Sequence, residues 1–236
     1  MSDAQLRQRK PDWLKIRLNT TESYVAIKNL VRTEDLHTVC QEARCPNLHE
    51  CWGKSGTASF MILGDTCTRR CRFCAVGTGL PGPVDRLEPL RVAAAVLRMG
   101  LKHAHVTMVN RDDLPDGGAS VMAATVRAIR ARAPECTVEV LTSDFMGSAE
   151  AIELVVRSAP DIISHNVETV RRLTPMVRSR SLYERSLDFL RIARRLDPRG
   201  VVKSSIMLGL GESREEVLST LDDLRAAGVD VVNIGQ

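Results

Sequence analysis

From Thr57 onward the chain alternates between two hydrophobic periods. The runs ASFMILG (58–64), HAHVTMVN (103–110), CTVEVLT (136–142), DIISHNV (161–167), VVKSSIMLG (201–209) and VDVVNIG (229–235) are short, apolar or β-branched. Such runs predict strands buried on both faces. Between them lie EPLRVAAAVLRM (88–99), SVMAATVRAIRARA (120–133), SAEAIELVVRSA (148–159), SLYERSLDFLRIARRL (181–196) and SREEVLSTLDDLRAA (213–227). These repeat apolar positions at helical spacing and predict amphipathic helices. Ser213 and Glu216 have the S-x-x-E spacing of a capping box, and Gly100 and Gly228 stand where helix C-caps are expected. Strands and helices in this alternation predict a parallel α/β fold with its chemistry at the C-terminal strand ends. Periodicity alone does not separate a curved, barrel-like sheet from an open doubly wound one.

Residues 1–56 lack this order. KPDWLKIRL is a short amphipathic piece whose Trp13 is expected to pack onto the body, and NLVRTEDLHTVCQEA is expected to be partly helical until Pro46 interrupts. The chain therefore divides into an extension (1–56), ordered around its own metal, and an α/β unit (57–236).

Composition narrows the class. With only 3% aromatic residues, the core must rest on Val, Leu, Ile, Ala and Met. No apolar run approaches the roughly 20 residues of a membrane span. The net charge of +4 is spread without a dense basic block, so neither a membrane nor a nucleic-acid partner is expected.

Six of the seven cysteines fall in two triplets, Cys40-x4-Cys45-x5-Cys51 and Cys67-x3-Cys71-x2-Cys74. Nothing before Cys40 has the apolar core of a signal peptide, so a cytoplasmic chain with reduced thiols is expected and disulfides rank low. Zinc is the rival metal, but zinc sites usually pair C-x2-C knuckles to reach four ligands. A four-iron cube normally takes four protein ligands. Two triplets therefore point to two clusters, each with an iron left for something else.

The second triplet, in GDTCTRRCRFCAV, resembles the signature of the radical S-adenosylmethionine (SAM) superfamily, including the aromatic Phe73. The first, LHTVCQEARCPNLHECW, followed by GTASFMILGDTCTRRCRFC, narrows the resemblance to the lipoyl synthase family. That resemblance implies a partial (β/α)6 barrel with an N-terminal cluster-binding extension, two [4Fe-4S] clusters and SAM. It also implies insertion of two sulfur atoms into a protein-bound octanoyl chain at C6 and C8, the Cys40/Cys45/Cys51 cluster being the sulfur source. Implied partners are octanoylated lipoyl-carrier domains (2-oxoacid dehydrogenase E2 subunits, the glycine cleavage H protein) and a low-potential donor such as ferredoxin or flavodoxin. No side chain is required as a general acid or base.

The resemblance also places SAM contacts. Gly117 and Gly118, in NRDDLPDGGA, would meet the methionyl amino group, although a plain Pro-Asp-Gly turn explains them too. Asp112 and Asp113 either serve the substrate or cap the next helix. Asn166 and Glu168 share one face if their strand persists, and could hold a ribose diol or be a strand-end polar pair. His165 would face the other way, as a structural residue. Arg178 would lie near the SAM carboxylate or form an exposed ion pair. Gly209 and Gly211, in GLGES, would let the backbone approach adenine. Lys203 and Ser204 are expected inside the barrel, and Cys136 as a buried apolar residue. Many relatives carry Gly where this chain has Ser205, many bacterial relatives carry Pro-Gly at 179–180, and family members continue past VVNIGQ into a segment with an Arg-Ser-Ser-Tyr motif. Two alternatives stay open: a truncated relative that cleaves SAM without completing sulfur insertion, and a biotin-synthase-like sulfur inserter.

Overall fold

The computed structural model describes residues 21–33, 37–42, 45 and 47–235; the Trp13 segment and Pro46 lie outside the described residues. The extension contributes α1 (Glu22–Thr33), β1 (His37–Thr38), α2 (Val39–Glu42), α3 (Leu48–Glu50) and one π-helical turn, Cys51–Ser55. Tyr24, Ile27 and Val31, spaced by three and four, form the buried stripe of α1. They pack toward Trp52, only 1% exposed, whose ring lies 5.9 Å from that of Tyr24. Burying a large apolar side chain contributes about 1.5–3 kcal/mol, which a short segment of this kind needs.

β2 (Thr57–Ile62) follows, then β3 (Thr66–Cys67) and β4 (Gly77–Thr78), a small parallel pair that brackets the second cysteine triplet. The alternation then runs α4 (Glu88–Arg98), β5 (His103–Met108), α5 (Ala119–Arg132), β6 (Thr137–Leu141), α6 (Ala149–Val156), β7 (Ile162–Ser164), α7 (Thr174–Val177), α8 (Tyr183–Leu196), β8 (Val201–Met207), α9 (Arg214–Ala226) and β9 (Val231–Gly235). The main sheet has the order β1-β2-β5-β6-β7-β8-β9, parallel throughout except for the antiparallel β1–β2 edge. Ser213 and Glu216 make both bonds of the capping box, and Gly100 and Gly228 take the positive φ of helix ends.

Side chains alternate across the sheet. Ala58, Phe60, Ile62, Ala104, Val106, Val138 and Val140 are buried in the core, while Met61, Thr107 and Leu141 face a common cavity. The sheet therefore curls around that cavity. Lys203 points to the same side and donates from Nζ to Glu139 Oε1 at 2.8 Å, which also accepts from Ser164. Against the upward push of burial, His103 and Lys203 hold the Glu139 carboxyl down at about 2. Ser204 departs from expectation: as the next residue it faces the other way, fully buried, and accepts from Val167 N.

The fourth strand is shorter than the run 161–167 predicts. β7 ends at Ser164; beyond it Val167 N turns to Ser204 Oγ and Glu168 enters the left-handed region (φ 63°), yet Glu168 still bridges β8: its N donates to Ser205 O and its O accepts from Met207 N. Leu63, Phe145 and Met146, each just past a strand end, also have positive φ. Such backbone strain costs roughly 1–3 kcal/mol per residue and concentrates at functional ends of folds.

Candidate active site

The second cysteine triplet forms a loop anchored at both ends. Cys67 closes β3, its carbonyl accepts from Gly79 N, and Thr68 bonds the Asn110 carbonyl through both N and Oγ1. Cys67 Sγ accepts from Arg69 N at 3.4 Å, Asn110 N at 3.3 Å and Asn110 Nδ2 at 3.6 Å. The three sulfurs step outward from buried Cys67 through half-buried Cys71 to exposed Cys74. Burial pushes the Cys71 thiol up; Arg178 opposes this, and nearby Cys74 and Cys67 add to it. In the first triplet, Cys51 is likewise pushed up by burial and then by Cys40 and Cys45. Each triplet is thus electrostatically one group. Among the described residues no three His, Cys, Asp or Glu close on a single point as ligands of one ion do; a cluster instead seats each thiolate on its own iron.

The loop overlooks a cavity of about 320 Å³ lined by Cys67, Cys71, Cys74, Asn166, Glu168 and Arg178, with Met61, Thr107 and Leu141 beneath. That volume lies at the lower end of small-molecule sites. Asn166 and Glu168 meet there although the strand does not persist: the left-handed turn brings Asn166 Nδ2 to 3.1 Å from Glu168 Oε1. Burial raises the Glu168 carboxyl, with Arg178 and Asn166 pulling it back.

Arg178 is not an exposed ion-pair residue. It is 7% exposed, and its Nη1 is fixed on the Val167 carbonyl (3.1 Å) and Ser186 Oγ (3.0 Å), while its Nε has no hydrogen-bond partner. Thr142 Oγ1, on the same wall, is equally buried and unpartnered. Orphaned polar atoms at a cavity wall mark positions for a ligand's polar groups.

The glycine pairs stand elsewhere. Gly117 (φ 60°) and Gly118 (φ 90°) do not line the cavity; a Cβ at Gly118 would collide with Leu63, and one at Gly117 would lie 3.1 Å from Phe145. Packing and turn conformation account for both. Gly209 and Gly211 also lie outside the cavity lining, in a turn whose Gly209 and Leu210 N–H groups are held by Glu212. Neither Asp112 nor Asp113 caps α5. Asp116 does, accepting from Gly118 N and Ser120 N, while Asp113 pairs with Arg111 and Asp112 with Arg69.

Arg69 is the residue that spacing does not single out. Its Nε and Nη2 grip Asp112 at 2.8 Å each, Nη2 also donates to Asp144 Oδ1 at 2.6 Å, and Nη1 to Ser181 Oγ at 3.2 Å. One buried guanidinium therefore ties the cysteine loop to the loops after β5, β6 and α7. It holds the Asp144 carboxyl at about 2 despite burial.

His165 is held by structural bonds, but it lines the same cavity as Asn166 and Glu168 and does not face away from it. Its ring bonds the Thr142 carbonyl and Ser186 Oγ and lies 4.8 Å from Phe189. Full burial, with Arg178 adding to it, depresses its pKa to about 4. A base with a depressed folded pKa loses stability as pH falls from its unfolded value near 6.5. Thermal unfolding should therefore show a loss of about 3 kcal/mol between pH 6.5 and 4 from this group. Glu168, with its raised pKa, acts in the opposite sense. The isolating measurement is the difference from His165→Gln: the variant's pH profile should be flatter across that window, and parallel profiles would refute the assignment.

Residues 61–224 match the radical SAM superfamily, and residues 1–45 match the N-terminal domain of lipoyl synthase of that family. Among solved structures, methylornithine synthase superposes with a TM-score of 0.59 at 14% identity, over 91% of this chain and 60% of its own. The hydrogenase maturase HydG does so with 0.60 at 11%, over 92% and 48%. At these identities the likeness concerns the fold. Fold, triplet and superfamily match together define a radical SAM enzyme. Curated relatives are much closer: the lipoyl synthase of Halalkalibacterium halodurans is 60% identical over 228 residues, 97% of this chain and 75% of that protein. That of Geobacillus kaustophilus is 58% identical over 236 residues, 100% and 79%. The chain belongs to the lipoyl synthase family.

Proposed function

We propose that this chain inserts two sulfur atoms into a protein-bound octanoyl chain, at C6 and C8, to form the lipoyl group. The observation that carries the reading is the cavity in which Cys67, Cys71 and Cys74 face Asn166, Glu168 and Arg178. The residues fit the groups: Cys67, Cys71 and Cys74, which line the cavity, would hold a [4Fe-4S] cluster by three thiolates and leave one iron without a protein ligand. The buried Nε of Arg178 and Oγ1 of Thr142 await polar partners there. When bound, cluster and SAM supply an electron and a 5′-deoxyadenosyl radical able to take hydrogen from an unactivated carbon.

The chain's own residues bind, orient and shield. Arg178 is suited to the SAM carboxylate, and the Asn166–Glu168 pair to a ribose diol. Strain at Glu168 is tolerated because its backbone is tied to β8 on both sides. Met61 and Leu141 keep the chamber apolar, which excludes water from a radical. Gly117, Gly118, Gly209 and Gly211 shape positive-φ turns outside the cavity lining. The extension (1–56) holds the second cluster, the sulfur source, on Cys40, Cys45 and Cys51, and residues 57–236 form the radical SAM unit. Partners on this reading are octanoylated E2 and H-protein domains and a ferredoxin or flavodoxin, in a cytosol that keeps thiols reduced. No helix among the described residues is long and apolar enough to cross a membrane.

The test is anaerobic turnover with SAM, reductant and an octanoyl-lysine peptide, following 5′-deoxyadenosine and lipoyl product by mass spectrometry. Asn166→Ala and Glu168→Gln should weaken SAM binding about 10-fold or more while iron content stays unchanged, since each removes a charge-assisted or buried hydrogen bond worth about 1.5–3 kcal/mol. Parental SAM affinity in both variants would show the pair to be structural.

A further inference from the structure

We infer that Val39 is a specificity-determining residue for the acyl chain: it closes the apolar end of the cavity and so sets which chain length the site accepts. The inference rests on the sulfur-insertion reading and carries it to a residue that no cysteine or SAM motif contains. The cavity is graded along the sheet order β1-β2-β5-β6-β7. Asn166, Glu168 and Arg178 stand at its β7 end, Val39 and Met61 at its β1–β2 end, with Thr107 and Leu141 between. The hydroxyl and carboxylate groups of SAM suit the β7 end. An apolar chain suits the other, where a polar group would give up its water partners for nothing.

Among the described residues that line the cavity, Val39 alone comes from the extension. Its backbone is fixed from both sides. β1 pairs antiparallel with β2, placing Thr38 opposite Phe60, and the fully buried Thr38 donates from Oγ1 to Gln41 Oε1 at 3.2 Å. Val39 then opens α2, which lies against β2. A β-branched side chain in a helix keeps essentially one χ1 rotamer, so Val39 makes a stiff stop where a Leu or Met would give way. Cys40 follows directly, 8% exposed and outside the cavity lining, because successive helical residues point about 100° apart. The apolar end of the cavity and the first cysteine triplet are thus one residue apart on the chain. A chain whose methyl end rests on Val39 has its last carbons beside that triplet. Removing two methyl groups at the stop lets a longer chain in, and a ring there shortens the space. One methylene too many or too few in an apolar pocket changes selectivity about 10-fold or more.

The test uses the full chain, anaerobically reconstituted, with Val39→Ala, Val39→Phe and the isosteric Val39→Thr. Binding of hexanoyl-, octanoyl- and decanoyl-lysine peptides is measured by calorimetry with SAM present and no reductant, so that nothing turns over. The parent should favour octanoyl over both neighbours by about 10-fold. Val39→Ala should shift the preference about 10-fold toward decanoyl and Val39→Phe by as much toward hexanoyl, while Val39→Thr, equal in shape, keeps the parent's order. SAM affinity, iron content and melting temperature should match the parent in Val39→Ala and Val39→Thr. With reductant, Val39→Ala should form more 5′-deoxyadenosine per lipoyl product from the octanoyl peptide, because a loosely stopped chain presents the wrong carbons. An unchanged length order in both Val39→Ala and Val39→Phe overturns the proposal. So does an equal loss for all three peptides, or a loss of iron or SAM affinity, since either makes Val39 a support of the fold alone. A parent that binds no acyl peptide and forms no lipoyl product defeats the sulfur-insertion reading itself, which is distinct from a parent that selects octanoyl while its variants select no differently.

Discussion

Replacing Cys67, Cys71 and Cys74 by Ala together halves the iron and sulfide of the anaerobically reconstituted protein, from about eight of each to about four, and abolishes SAM cleavage. The expectation follows from two sulfur groups that are separate in the fold. Cys40 and Cys51 belong to the extension around Trp52, whereas Cys67, Cys71 and Cys74 hang between β3 and β4 at the strand ends. Losing one set should leave the other's thiols in place. The complementary replacement of Cys40, Cys45 and Cys51 should also halve the iron, yet keep 5′-deoxyadenosine formation and lose lipoyl product. Zinc in stoichiometric amount without sulfide, or loss of SAM cleavage from the second set of variants, would refute the division of labour between triplets.

Most strands and helices were legible because period and length agreed; Ser213 with Glu216 and the glycines at 100 and 228 behave as local chemistry dictates. Residues 161–167 misled by length, since the apolar run continues while Glu168 leaves the extended region. The six cysteines stand out in the sequence because few chemistries use that spacing. The glycine motifs do not declare a role, because a glycine required by packing and one required by a ligand look alike in sequence. Gly118 yields to Leu63, and only the fold reveals the collision. Arg70 and Arg69 are adjacent and chemically identical, yet one is exposed and the other 3% exposed among Asp112, Asp144 and Ser181. No local pattern separates them, because the carboxylates come from loops 43 and 75 residues away. Arg180 carries a positive φ of 62°, which costs an arginine about 1 kcal/mol and which no local pattern announces.

Arg69→Met should be the most destabilising single change at the strand ends. It leaves Asp112, 13% exposed at its side chain, without a guanidinium, and the fully buried Asp144 with only the 3.4 Å contact to Arg185. Breaking a buried pair from one side costs about 3–5 kcal/mol, because the remaining charge stays desolvated. At about 2–4 °C per kcal/mol for a chain of this size, the melting temperature should fall by roughly 10 °C. Arg69→Met/Asp144→Asn should recover part of that loss by removing the stranded charge. The pH dependence has a definite sign. Asp144 is held at about 2 in the fold, below its ordinary 3.8, so the stability it contributes is full above pH 3.8 and lost as pH falls toward 2. In Arg69→Met the largest lowering influence is gone, so the depression shrinks, and the gap between parent and variant should narrow as pH is lowered through this range. The variant also frees the loop between Cys67 and Cys71 from its anchors on three other loops. Retained iron should therefore fall toward about four per chain even at temperatures where the protein stays folded. A variant that melts within a degree or two of the parent, or keeps its full complement of iron, would show that Arg69 neither carries the fold of the strand ends nor positions the cysteine loop.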